Sequence, residues 1–146
     1  MTTPRGVLAV DHGTKRTGFA VADPLRITAA PLEVWQGSGD APELIDHVAS
    51  LCAERDIGVF VVGMPFNMDG SEGPRAADVR AFCAKLSQRF PDATVVPWDE
   101  RLTTKEAEAL LREAGVAPKD RKGERDAWSA LVILRDWIES GEPGLP

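Results

Sequence analysis

Val7-Leu8-Ala9-Val10 is an unbroken apolar run that ends directly on a carboxylate, Asp11. A strand that is apolar at every position leaves no face for solvent, so it belongs at the centre of a sheet covered on both sides. The acid that ends it then sits at the rim of that sheet, on a rigid support. Gly13 and Gly18 bracket a short basic turn and supply the backbone freedom of a reversal. A second apolar stretch then reaches Asp23. A chain of 146 residues organised around such a centre suffices for one domain over 1–146 with one real core.

Hydrophobic residues at 43% and charged residues at 27% describe an ordinary soluble domain. No apolar stretch nears the roughly 18 residues of a membrane span. Residues 1–5 lack a signal-peptide layout, so the expected location is the cytoplasm, without membrane association. Cys52 and Cys83 lie far apart with neither Cys-x-x-Cys nor zinc spacing. They read as free, buried or half-buried thiols in a reducing compartment. The net charge of −6 argues against a surface that grips nucleic acid everywhere. Any such binding must rest on a local cluster of cations.

Strands are predicted over 7–11, 17–23 and 27–35, with connections short enough for antiparallel neighbours. Asp40 and Glu43 have capping-box spacing ahead of Leu44, Ile45, Val48, Leu51 and Cys52, which recur with helical period to about residue 55. A second pure apolar run, 57–63, predicts another buried strand. A long loop over 64–75 leads to a helix over 76–90 and a strand over 94–98. Thr103 and Glu106 repeat the capping-box spacing, opening a helix whose apolar face is Ala107, Leu110, Leu111 and Ala114. A charged loop over 115–123 precedes a last helix over 124–140, and the tail 141–146 is expected to be flexible. Three antiparallel strands followed by alternating helices and strands give an α/β fold, a mixed five-stranded sheet with helices on both faces.

Three acids lie where an apolar element meets a loop. Asp11 ends the first strand, and Glu100 follows the strand over 94–98. Asp126 falls in the first turn of the last helix, on a stripe with Ala130, Ile133 and Trp137. Each has an ordinary alternative: a strand-end turn for Asp11, a pair with Arg101 for Glu100, a dipole-favoured position for Asp126. Spacing alone does not bring them together. Carboxylates that did converge would repel one another until a cation arrived, and an all-oxygen set suits Mg²⁺ or Mn²⁺.

Cations adjoin each acid in sequence. Lys15 and Arg16 follow Asp11, Arg101 and Lys105 follow Glu100, and Arg121 and Lys122 precede Asp126. They would make a positive rim for phosphates, against the alternative of ordinary solvated charge. Asn67 and Ser71 in the long loop are further candidates for substrate contact. No side-chain nucleophile is evident, because Ser71 is not in a nucleophile elbow and neither His12 nor His47 has triad partners. His12, Asp99 and Thr104 are placed as supports around the acids. The four tryptophans read as core or half-buried, with Trp98 and Trp128 also able to stack on bases.

Four blocks carry a family resemblance. Asp11-x-Gly13-x-Lys15-Arg16-x-Gly18-x-Ala20-Val21-x-Asp23 resembles the opening motif of the RuvX/YqgF family of candidate pre-16S ribosomal RNA nucleases, relatives of Holliday-junction resolvases. Val62-Gly63-Met64-Pro65-x-x-Met68-Asp69-Gly70-Ser71-x-Gly73 is similar to its central loop. Trp98-Asp99-Glu100-Arg101-Leu102-Thr103-Thr104 and Asp126-Ala127-x-x-Ala130-x-x-Ile133-Leu134 resemble its last two blocks. The resemblance implies a ribonuclease H-like fold and a catalytic, metal-binding set of Asp11, Glu100 and Asp126. It further implies two Mg²⁺ or Mn²⁺ ions hydrolysing phosphodiester bonds, in 5′-end processing of pre-16S ribosomal RNA.

Other readings stay open at this stage. The Asp-x-Gly-Thr pattern also resembles the phosphate hairpin of actin-like and sugar-kinase ATPases, but 146 residues leave no room for their second lobe. A resolvase-like enzyme on branched or single-stranded DNA would require a homodimer for a four-way junction. A non-catalytic nucleic-acid-binding or ribosome-assembly factor is the alternative that the acidic net charge favours.

Overall fold

The computed structural model describes residues 4–101, 103–115 and 118–145, with the backbone alone at 103–104 and 118–123. Strands β1 (Gly6–Asp11), β2 (Arg16–Ala22) and β3 (Ala29–Gln36) come first, then helix α1 (Pro42–Ala53). Strand β4 (Ile57–Met64), helix α2 (Pro74–Arg89) and strand β5 (Thr94–Asp99) follow, and α3 (Thr103–Glu113) and α4 (Pro118–Glu139) complete the order. One sheet runs β3-β2-β1-β4-β5. β1 and β2, and β2 and β3, are antiparallel, whereas β4 is parallel to both β1 and β5. The two pure apolar runs are thus paired neighbours at the centre of the sheet, as burial on both faces requires.

The pleat sorts β1 between two cores. Leu8 and Val10 pack with Leu44 and Val48 of α1 and Phe82 and Leu86 of α2. Val7 and Ala9 point the other way, to Ala130, Leu134 and Trp137 of α4. α3 covers the outer side of α4, burying Ala107 and Leu111. Ala114, expected on that face, is exposed, because the helix ends at Glu113 and the chain turns away at Gly115, where φ is +78°.

Two helix starts differ from expectation. α1 has Ala41 at its N-cap and no side-chain capping bond. Pro42 presets the first helical φ without a donor to satisfy, and Asp40 instead accepts a bond from Ser38 Oγ at 2.5 Å. Helix α4 begins at Pro118 rather than near 124, so most of the expected charged loop is helix and Asp126 lies in its third turn. Proline at a first helical position followed by good helix formers outweighs the single Gly123. Dipole stabilisation of Asp126 therefore does not apply.

The chain end is tied down through Pro143. Trp137, fully buried, donates its indole N–H to the Pro143 carbonyl at 2.9 Å, and Glu142 pairs with Arg26 at 3.1 Å. Cys52 and Cys83 are free and half-buried. Among the described residues no helix is long and apolar enough to cross a membrane. Trp137→Ala should cost about 3–5 kcal/mol, the range for deleting a core aromatic, and the urea midpoint measures it.

Candidate active site

Asp11 ends the central strand, and the two strands beside it each present a glycine next to it. In β2, Gly18 is the direct register partner of Asp11. In β4, Gly63 follows Val62, the partner of Val10. A Cβ on Gly18 would collide with the backbone of Asp126 and Ala127, so α4 lies directly on the strand there. A Cβ on Gly63 would come within 2.5 Å of Glu100 Oε2 and 2.6 Å of Ile133 Cδ1. Gly18 is thus a strand residue that admits a helix rather than part of the reversal, and the two bare positions let Asp126 and Glu100 approach Asp11. Glu100 is fixed from behind by its own amide, which donates to the Met64 carbonyl at 3.2 Å.

Burial first, then the charges of Glu100 and Asp126, hold the Asp11 carboxyl well above the usual carboxylate range. A hydrogen bond with Glu100 adds to this rise. Burial also pushes Glu100 up, opposed by that bond and by the Arg75 charge. Asp126 has a cation instead: Arg16 Nε donates to its Oδ2 at 2.9 Å. Asp11 and Glu100 are thus hydrogen-bonded to each other, and Asp126 is held by a guanidinium that stands in for a cation. All their donors are oxygen, the preference of Mg²⁺ or Mn²⁺, and the residues fit such an ion chemically. In the arrangement seen, no three His, Cys, Asp or Glu side chains among the described residues form a ready-made metal set.

His12 and Arg75 frame the cleft from the side. The His12 ring is buried against Phe82, with ring centroids 4.6 Å apart. Its Nε2 donates to the Gly39 carbonyl at 2.8 Å, which leaves Nδ1 as the acceptor facing Arg75 Nη2 at 3.4 Å. Burial lowers the His12 pKa, and the Arg75 charge lowers it further. The neutral ring is therefore a strut between the β1 end and the loop before α1. Arg75 Nη2 also donates to the His12 carbonyl at 2.7 Å, and Nη1 donates to Asp78 at 3.0 Å. Arg75 lines the same cleft as Arg16, Glu100 and Asp126. Sequence reading passed over it as the end of a loop; Pro74 before it, opening α2, was the available signal.

A family model described as RuvX, Holliday junction resolvase, matches residues 5–140. The chain belongs to the RuvX family. A candidate pre-16S rRNA nuclease of Halalkalibacterium halodurans is 44% identical over 90% of this chain and 94% of its own. One from Anaeromyxobacter sp. is 43% identical over 90% of this chain and 95% of its own. Among solved structures, the fowlpox virus resolvase with Holliday junction DNA superposes with a TM-score of 0.61 at 11% identity, covering 92% of this chain and 97% of that one. Thermus thermophilus RuvC in complex with a Holliday junction substrate gives 0.56 at 20% identity, covering 94% and 97%. At such identities these two show the shared resolvase-like, ribonuclease H-like fold.

Within this RuvX-family chain the expected rim is only partly assembled. Lys15 and Arg16 line the cleft. Arg101 is turned away from it, its Nε and Nη2 both donating to Asp99 at 2.9 and 2.7 Å. That fork holds the Asp99 carboxyl below the usual range. Asn67 and Ser71 close on their own loop, Asn67 Nδ2 donating to Ser71 Oγ at 2.9 Å and Ser71 Oγ to Asp69 at 2.5 Å. Lys105 is exposed on α3. The side chains of Thr104, Arg121 and Lys122 lie outside the described residues. Trp98 donates to Asp136 at 2.8 Å and Trp128 to Glu124 at 3.3 Å, and both pack against the α4 core.

Folding raises the proton affinity of Asp11, so above the ordinary carboxylate range the folded state binds more protons than the unfolded one. Asp11 therefore costs stability increasingly as pH rises through that interval. In EDTA, Asp11→Asn should be more stable than wild type by about 1–3 kcal/mol near neutral pH. The gain should vanish in acid, and denaturant midpoints across pH read it. Gly18→Ala should destabilise by about 1–3 kcal/mol, because a packed helix must move. Gly63→Ala should cost less, since the ends of side chains give way there; thermal melts compare the two.

Proposed function

We propose that this chain is a metal-dependent nuclease that hydrolyses phosphodiester bonds in 5′-end processing of pre-16S ribosomal RNA. The observation that carries the reading is the approach of Glu100 and Asp126 to Asp11 at the end of the central strand, where Gly18 and Gly63 leave the room for it. Such a cluster is costly in water and useful only to a cation or a reacting proton. Membership of the RuvX family and the names of the relatives support the substrate class. Mg²⁺ or Mn²⁺ held by Asp11, Glu100 and Asp126 would lower the pKa of a water and offset charge on the departing oxygen.

The protein's own part is positional. β1 and the His12 strut fix Asp11, the Met64 carbonyl fixes the backbone of Glu100, and the α4–Gly18 contact fixes Asp126. Lys15 stands at the mouth of the cleft as a contact for the phosphate backbone, and Arg75 sets a fixed positive charge beside the acids. Phosphate contacts of this kind position a strand without reading its sequence.

Labelled single-stranded RNA carrying a pre-16S 5′ flank and a four-way DNA junction, incubated in Mg²⁺, Mn²⁺ or EDTA, test the reading. Expected is metal-dependent cleavage of the RNA, reduced more than about 100-fold in Asp11→Asn, beyond the loss typical of a supporting residue. Preferential cleavage of the junction would move the enzyme to branched DNA. Absence of cleavage, or equal cleavage by the variant, would leave a binding factor of ribosome assembly.

A further inference from the structure

Arg16 opens β2 opposite Gln36 and reaches across to Asp126, 110 residues away in sequence. The pair is one-sided. Arg16 Nε takes Asp126 Oδ2 at 2.9 Å, with the Arg16 side chain 40% exposed and that of Asp126 20% exposed. A guanidinium stays charged at any working pH, so it is a permanent substitute cation for a carboxylate brought close to two others by Gly18. An ion pair this exposed is weak, and a divalent ion that gained all three acids would outcompete it. In the arrangement seen, the described acids do not form a set for one ion.

We propose that Arg16 is the built-in counter-ion of Asp126 and competes with the divalent cation, so that ion entry and release of Arg16 are a single exchange. This rests on the metal-nuclease reading. Arg16 is then a positioning residue before the ion binds, and its freed head lies at the mouth of the cleft beside Lys15, where a phosphate would be met. The alternative, a plain structural support for α4, predicts the opposite sign, because loss of a support would misplace Asp126 and weaken ion binding.

Isothermal titration of Mn²⁺ into the full chain separates the two. Arg16→Ala should bind Mn²⁺ about fivefold more tightly than wild type, the scale of a partly exposed ion pair. Arg16→Lys should fall between them, since an ammonium keeps the charge without the planar fork. In an Asp126→Asn background, Arg16→Ala should change nothing, because the partner it competes for is gone. Equal or weaker Mn²⁺ binding by Arg16→Ala, with wild type binding normally, overturns the competition and leaves the nuclease reading intact. No binding by wild type or any variant overturns both. Should Arg16→Ala fail to fold, Arg16→Gln supplies the same comparison.

Discussion

Closeness of approach at Asp11 governs the whole cleft. A side chain on its register partner in β2 would lift α4 off the sheet, and one on the neighbouring position of β4 would displace Glu100 and Ile133. Glycine inside a strand weakens it, and buried carboxyls weaken the fold further. Both costs fall on the same few residues around the end of the central strand. A sheet built for stability alone would place a β-branched residue at 18 and 63 and an apolar residue at 11. The chain gives up that stability where three acids meet, a loss that the proposed function would account for.

The parts of the fold legible in the sequence are those set by local pattern. Two pure apolar runs marked the paired central strands, and the stripe Asp126, Ala130, Ile133, Trp137 marked the face of α4, whose last three members are fully buried. The order of elements then left few topologies for the sheet. Misreadings arose where two local signals competed. Gly123 among charged residues suggested a loop, although Pro118 was the stronger sign of a helix start. Asp40 and Glu43 had the spacing of a cap, although Pro42 made one unnecessary.

The sequence marks candidate site residues by type but not their partners. Nothing local says that Arg16 turns to Asp126 while Arg101 folds back onto Asp99, since the first pairing spans 110 residues and the second spans two. Sequence neighbourhood put both arginines in one positive rim, and tertiary distance separates them. Arg75 was missed for the same reason. Its importance lies in reaching the His12 carbonyl 63 residues away, a contact that depends on how α2 meets the end of β1. Gly18 was read as a turn residue because glycines beside basic loops usually are, whereas its register opposite Asp11 makes it a docking point for a helix.

Pairing also bears on how a chain of net charge −6 could attract a polyanion. Many of its arginines are occupied by carboxylates, among them Arg5 by Asp56, Arg80 by Glu72, Arg89 by Asp46 and Arg101 by Asp99. Such pairs cancel at a distance beyond the Debye length, about 8 Å at physiological salt, and steer nothing. At the cleft Lys15, Arg16 and Arg75 stand with Glu100 and Asp126, Arg16 paired with Asp126 and Arg75 with Asp78. Under the proposed function, attraction of a phosphodiester to this cleft would be set by its local charges more than by the paired cations elsewhere on the surface. An acidic overall charge disfavours indiscriminate binding of polyanions elsewhere on the surface.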